Sequence, residues 1–366
     1  MTPRENLLSI YRRQGCEFAP VEFNLSPAMK EKMRAAIGDD ISPAEYFGYP
    51  EGFARRIAPS PPLKPRPGVN WQDYYSETLD QDTWFNPYGV AYEGGYQGAW
   101  HLRRMHHPMA DYDSLEQMEA YPWPVWDCDD IKKTEAAVTE ARAEGVPTIA
   151  ELACTIWETA WGIRDMTALM MDMATDDEKA VYVLDRVTHN SVKLAAAYGR
   201  AGADILHLGD DIGMQDAPMM SLDMYRTWLK PRLTRVIDAA REHKPDILVM
   251  YHSCGFVEPF IPDLIEAGID ILNPVQPESM DFAKLHLEYG DVLSFNGTLG
   301  TQTTLPFGTP DEVRAVVRRN LDIAGDKGGL VVAPTHVVEP EVPWENIEAY
   351  VNACKEYKEG KNEKTV

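Results

Sequence analysis

The second half of the chain alternates short apolar runs with amphipathic stretches, the pattern of βα units around a parallel sheet. Runs at 147–153, 203–208, 246–251, 269–272, 291–295 and 329–333 are short enough for strands. Between them, apolar residues recur at three- and four-residue spacing over 129–144, 175–201, 221–242, 257–267, 309–324 and 344–358, which predicts helices. Thr309-Pro310-Asp311-Glu312 marks one helix start, with a capping hydroxyl, a proline at the first helical position and a glutamate at the third. An earlier strand at 18–23, followed by a helix from Ser26-Pro27, and another strand near 89–92 bring the count to about eight. The pattern predicts an α/β fold, a (β/α)8 TIM barrel, with residues 1–366 as one domain. Residues 48–126 break the repeat. They are rich in proline, glycine and aromatics and read as an insertion or cap over the barrel mouth, while the polar tail 355–366 is expected to fray.

Composition supports a large buried core, since 44% of the 366 residues are hydrophobic and 25% charged, close to globular averages. The 58 acidic against 35 basic side chains leave a net charge of −23, which argues against nucleic acid as a partner, because a phosphate backbone is held by clustered Lys and Arg. No apolar run approaches the roughly 18 residues that span a bilayer, and no apolar segment follows the first residues as in a secretory signal. A cytoplasmic address is the expectation. The five cysteines, an odd number with irregular gaps, do not resemble a disulfide framework and are expected to be reduced thiols.

In a barrel of parallel strands, reactive groups sit where strands end, because the following loops form the open face. The polar residues ending these runs are Glu22 and Asn24, Glu151, Asp210 and Asp211, His252 and Cys254, Asn273 and Gln276, Asn296, and His336. His252 and Cys254 stand two residues apart after the most apolar strand, so in an extended segment both point the same way, and both are zinc-type ligands. A packed histidine beside a structural thiol has the same pattern. His336 follows another apolar strand and could bring a third ligand to the mouth, leaving the open fourth position of a catalytic zinc site. Asp210 and Asp211 share a glycine-flanked loop, where one of them faces the pocket or both are solvated. Glu151 lies inside an apolar run, where an unpaired carboxylate would be costly, so it needs a base, a metal or a substrate.

Thirteen aromatics fall within 71–126, about twice the density of the chain as a whole, and suit either a flat aromatic pocket or core packing beneath a cap. The adjacent His106 and His107 read as surface or hydrogen-bonded groups. Arg103 and Arg104 read as carboxylate anchors.

Taken together, His106-His-Pro-Met-Ala-Asp111 with Tyr121-Pro-Trp-Pro124, Gly202-Ala-Asp-Ile-Leu-His-Leu-Gly-Asp-Asp211, Met220-Ser-Leu-Asp-Met-Tyr225 with Lys230-Pro-Arg232, Tyr251-His-Ser-Cys-Gly255, Phe295-Asn-Gly297 and Pro343-Trp-Glu-Asn-Ile347 resemble the uroporphyrinogen decarboxylase-like superfamily. That superfamily holds the decarboxylase itself and the zinc-dependent, cobamide-linked methyltransferases, on a (β/α)8 barrel. The resemblance is closer to the methyltransferase branch, which carries His-x-Cys and a later Cys as zinc ligands. His252 and Cys254 match the first two, and the last ligand falls on His336, an imidazole in place of a thiolate.

That departure would leave a zinc centre with one net positive charge, better suited to polarising an ether oxygen than to activating a thiol. The reading that follows is a zinc O-demethylase that takes the methyl from a methoxylated, aromatic substrate and passes it to the cobalt of a corrinoid (cobamide) on a partner protein. Here Glu151 or Asp211 serves catalysis by orienting substrate or completing the zinc shell, and Glu22, Asn24, Asp210, Gln276 and Asn296 contact substrate. The alternatives are methyl transfer from a corrinoid to a thiol, decarboxylation of a non-porphyrin acid, and a ligand-binding barrel without catalysis. The decarboxylases hold a tetrapyrrole of many carboxylates with an N-terminal arginine cluster, whereas residues 20–29 here contain no arginine and Glu22 would repel that substrate. Uroporphyrinogen is therefore expected to keep all its carboxyl groups on incubation with this protein. Chromatography of the porphyrins after oxidation checks this, and stepwise loss of carboxyls at an enzyme-like rate would contradict it.

Overall fold

Parallel pairing runs through a single curled sheet of seven strands in the computed structural model, which describes residues 1–49, 53–59, 62–94, 104–126 and 131–362. In chain order the strands are β1 (Arg55–Ile57), β2 (Trp84–Phe85), β3 (Ala91–Tyr92), β4 (Met105–His106), β5 (Thr148–Ala153), β6 (Ile205–Gly209), β7 (Leu248–His252), β8 (Ile271–Asn273), β9 (Ser294–Asn296) and β10 (Leu330–Val331). The parallel sheet has the order β1-β5-β6-β7-β8-β9-β10, with helices between successive strands, a TIM-barrel-like α/β fold. The six apolar runs of the second half all supply its strands. No described helix is long and apolar enough to cross a membrane.

The expected strand at 18–23 does not form. Its backbone groups are satisfied by side chains instead of a ladder: Asn6 bonds Phe18 O and accepts from the Glu17 and Phe18 amides, and the Tyr350 hydroxyl is 3.1 Å from both Glu22 N and Glu22 O. Pro20 has no N–H to offer. The segment still stands at the barrel wall, where Leu25 bridges Val338 in parallel and the Glu22 carboxylate meets Arg56 of β1. A strand expected at 89–92 is also reassigned, because β3 belongs to a separate antiparallel sheet, β2-β3-β4. The first barrel strand is β1, inside the stretch that reads as an insertion. Its two arginines hide it from an apolar pattern, one turned out to Glu140 and Glu144 and the other in toward Glu151.

Helix starts follow their capping residues. The Thr309 box forms as expected, and a second box, Thr2 with Glu5, opens an N-terminal helix, Pro3–Tyr11, that the pattern does not reveal. The helix expected over 221–242 is broken by a π turn at Tyr225–Leu229. Pro231 has no N–H for the carbonyl four residues back, so the hydrogen-bond ladder must change step nearby. The last helix, Trp344–Asn362, runs through most of the tail expected to fray.

The barrel interior is layered by strand alternation. Ile149, Ile205, Met250 and Ile271 form a lower apolar layer, sealed by Leu7, Leu8, Ile10 and Tyr11 of the N-terminal helix. Two residues further along the same strands stand Glu151, His207, His252 and Asn273, a polar layer at the strand ends. The N-terminal helix is anchored by a buried carboxylate. Asp204 accepts two bonds from Arg4 Nε at 3.0 and 3.1 Å, one from Arg4 Nη2 at 2.6 Å, and bonds from the Thr148 amide and hydroxyl at 3.1 Å. Asp204→Ala would strand the Arg4 charge and two Thr148 donors, so unfolding in urea is expected to show a loss of about 3 kcal/mol. An unchanged denaturation midpoint would mean the helix is held by its apolar face alone.

Candidate metal centre

β7 delivers His252 and the following turn delivers Cys254. Cys254 Sγ lies 3.6 Å from His252 Nε2, and Asp211 Oδ1, from the loop after β6, lies 3.8 Å from the same nitrogen. One ligand atom from each of Asp211, His252 and Cys254 falls within 4.8 Å of the others. Tetrahedral zinc bonded to sulfur at about 2.3 Å and nitrogen at about 2.0 Å separates the two by about 3.5 Å, so the donor set and its spacing fit zinc.

Backbone contacts hold this arrangement. The Cys254 amide donates to Asp211 Oδ1 at 2.8 Å, and the Gly255 amide donates to Gln276 Oε1. Gly255 has φ +80°, and a Cβ there would meet Met214 O at 2.4 Å. At Gly209 a Cβ would lie 2.6 Å from His252 O, so only glycine lets β6 pass this close to the histidine. His252 Nδ1 donates to Asn273 Oδ1 at 2.6 Å, because the Asn273 amide nitrogen is committed to Asn296 Oδ1 at 2.6 Å and Asn296 O at 3.2 Å. That bond fixes the tautomer and leaves the Nε2 lone pair facing Cys254 and Asp211.

The site is short of positive charge. Burial lowers the His252 pKa, against the pull of Asp211 and Asn273, so the ring is neutral near pH 7. Burial, then Asp211 and Glu158, pushes the Cys254 thiol up to about 12. Glu158, beside the cluster, is raised to about 8 by burial and by its two acidic neighbours, Asp210 and Asp211. A divalent cation would offset the negative charge of these half-buried groups.

Apart from Glu151, the sequence-singled residues divide into three groups. Asp211, His252 and Cys254 form the triad. Glu22, Asn24, Asn296 and His336 line an adjoining cavity of about 200 Å³ with His207, His252, Asn273 and Arg56. His336 thus shares the mouth with His252 but stands outside the three-ligand group. Asp210 and Gln276 spend their carboxylate and amide oxygens on the scaffold. Asp210 is buried and accepts the Ile156 and Glu158 amides at 2.9–3.1 Å, holding the start of helix Trp157–Arg164, and burial raises its pKa to about 7 in spite of those bonds.

Glu151 finds the partner its burial demands. It accepts from His207 Nδ1 at 3.0 Å and from Arg56 Nη1. Desolvation works to raise its pKa, but His207 and Arg56 together outweigh it and hold the carboxyl below its usual range. His207 and Arg56 were missed in the sequence. His207 shares the inward parity of Glu151, which is a usable signal, whereas Arg56 sits in a stretch without pattern.

The aromatic cap is mostly packing. Trp71, Tyr74 and Trp123 each lie within 5.6 Å of Tyr121, centroid to centroid. His106 is buried between Glu77 at 2.9 Å and Glu93 at 2.8 Å, and His107 Nδ1 is 2.8 Å from Gly162 O. Arg104 pairs with Glu93, and Arg103 lies outside the described residues.

A TIM-type barrel with a zinc-type ligand triad at the C-terminal ends of its strands is the class of protein this geometry defines. Residues 102–357 match the family described as Uroporphyrinogen decarboxylase (URO-D), and the chain belongs to that family. It is 30% identical over 175 residues, 48% of each chain, to the methylcobamide:CoM methyltransferase MtaA of Methanosarcina barkeri. It is 29% identical over 251 residues to a methylated-thiol–coenzyme M methyltransferase of Methanosarcina mazei, covering 67% of this chain and 60% of that one. The matches thus span about half to three-fifths of these relatives. A solved methyltransferase from Methanosarcina mazei superposes with a TM-score of 0.64 at 19% identity, over 98% of this chain and 99% of the other, a likeness of fold.

Metal analysis of protein purified without an affinity tag is expected to find about one zinc per chain. Cys254→Ser combined with Asp211→Asn should abolish it, His336→Ala should retain it, and Asn273→Ala should weaken zinc affinity by about 10- to 100-fold through the freed imidazole. Zinc lost in His336→Ala but retained in the double variant would move the third ligand to His336.

Proposed function

We propose that the protein is a zinc-dependent methyltransferase that exchanges a methyl group between the cobalt of a corrinoid on a partner protein and a thiol. The observation that carries this reading is the ligand set itself, one imidazole, one thiol and one carboxylate at the barrel mouth. With Cys254 and Asp211 both ionised, their two negative charges cancel the charge of a divalent zinc. A neutral centre leaves a bound thiolate electron-rich, whereas the ether-cleaving reading needed the positive centre that two imidazoles would give. The names of two relatives, which pair methylcobamide or methylated thiols with coenzyme M, support the same choice.

Zinc, when bound, would lower the pKa of a thiol and hold it as thiolate near neutral pH. The residues of the chain do the rest. His252 presents Nε2 because Asn273 holds Nδ1, and Asp211 keeps Cys254 in place through its amide. The barrel floor, sealed by the N-terminal helix, keeps water from entering below, so substrate arrives through the mouth. Methyl transfer to sulfur forms one S–C bond, releases the thiol proton, and leaves the Co–C electron pair on cobalt.

The methoxylated aromatic substrate is the competing reading, and one assay separates the two. Zinc-loaded protein is mixed with methylcobalamin and a panel of thiols, and loss of the methylcobalt absorbance is followed. In parallel, methoxybenzenes are offered with cobalt(I) cobalamin. Thiol methylation is expected, and Cys254→Ser should lower it by about a hundredfold or more, the scale of losing one charge-stabilising group. Methylation of cobalt by a methoxybenzene, with thiols inert, would replace this reading by the ether one.

A further inference from the structure

The one cation lining the cavity beside the triad is already committed to carboxylates. Arg56 is the only arginine or lysine among the described residues that line it, and its two terminal nitrogens are committed to carboxylates. Nη1 bonds Glu151 and Nη2 bonds Glu22 at 3.2 Å. Two of the three lining amide nitrogens are likewise taken, and the third, that of Asn24, belongs to an exposed residue. Asn296 Nδ2 donates to the Tyr11 hydroxyl at 2.7 Å and to Glu22 Oε2 at 3.0 Å, and Asn273 Nδ2 donates twice to Asn296. Acceptor capacity is left over. Each Glu22 and Glu151 oxygen has a single donor and can take another.

His207 gives an independent sign. Its Nδ1 bonds the Glu151 carboxylate, which accepts only, so Nδ1 carries the proton. The other nitrogen, Nε2, is shielded from solvent at the cavity wall and has no hydrogen-bond partner among the described residues. An orphaned buried acceptor costs free energy until something donates to it. Glu22 lines the cavity and Glu151 bonds the lining Arg56 and His207, so two carboxylates share one guanidinium and leave this side net negative.

Resting on the methyltransferase reading above, we infer that the substrate's non-reacting end is a hydrogen-bond donor, a hydroxyl or an ammonium group, seated against Glu22 and His207. A sulfonate or carboxylate end is disfavoured here. Such an anion would face the Glu22 carboxylate with no uncommitted lysine or arginine in the lining to meet it, whereas an ammonium gains charge-assisted bonds and a hydroxyl satisfies Nε2.

The test uses three thiols that share a two-carbon chain and differ only at the far end: cysteamine, 2-mercaptoethanol and 2-mercaptoethanesulfonate. Binding of each to the full chain as purified is measured by calorimetry at neutral pH, alongside methyl transfer from methylcobalamin. Cysteamine and 2-mercaptoethanol are expected to bind at least about tenfold more tightly than the sulfonate. Glu22→Gln should erase most of the cysteamine preference, and His207→Phe should weaken 2-mercaptoethanol. Equal or tighter binding of the sulfonate, or no saturable binding of any of the three, overturns the inference, and the unmodified protein decides this whether or not the variants fold. Binding in the expected order without methyl transfer would sustain the inference about the cavity and count against the methyltransferase reading.

Discussion

The hydrogen bond from His252 Nδ1 to Asn273 Oδ1 is the interaction on which the site depends. It decides which imidazole nitrogen keeps a lone pair, and hence whether the barrel mouth can hold a metal ion at all. The bond is itself constrained. Asn273 cannot turn its amide because Asn296 takes the nitrogen, Asn296 is tied to Glu22 and Tyr11, and Glu22 is tied through Arg56 to Glu151 and so to His207. The circuit runs through β8, β9, the wall segment at Glu22, β1, β5 and β6, and ends at His207, whose ring stands edge-on 6.1 Å from that of His252. Nearly every strand of the barrel therefore contributes to the orientation of one ring.

A polar circuit of this kind survives in a barrel only because it is confined to one layer. The isoleucines and methionine beneath it, sealed by the N-terminal helix, keep the floor apolar, and strand alternation places the polar side chains two residues higher, toward the mouth. Buried polar groups are costly unless each is bonded, and here nearly all are. The exception is His207 Nε2, which lies where a ligand would be seated.

The acids divide their work by position. Asp210 and Asp211 are adjacent, yet Asp210 turns back to hold the amides that begin a helix, while Asp211 turns toward His252 and Cys254. Glycines at 209 and 255 permit the two loops to meet at backbone distance, which brings a carboxylate from one loop to a thiol from the next. A carboxylate from Asp211, in place of a second imidazole, sets the charge such a site would carry.

The sequence by itself determined the class of fold and most of its strands, because burying a parallel sheet on both faces demands short apolar runs that stand out between amphipathic helices. It also determined His252 and Cys254, whose two-residue spacing at a strand end needs no knowledge of the rest of the chain. Partnership across the barrel was decided by tertiary structure alone. β1 carries two arginines and has no apolar signature, since what holds it is pairing with β5 and ion pairs on both faces. The stretch 18–23 looks like a strand and is not one, because Asn6 and Tyr350, remote in sequence, satisfy its backbone. The same holds for Asp211 joining the triad while Asp210 and Gln276 serve the scaffold. Which neighbour a side chain meets is fixed by loops converging from separate strands, and local pattern carries no record of that convergence.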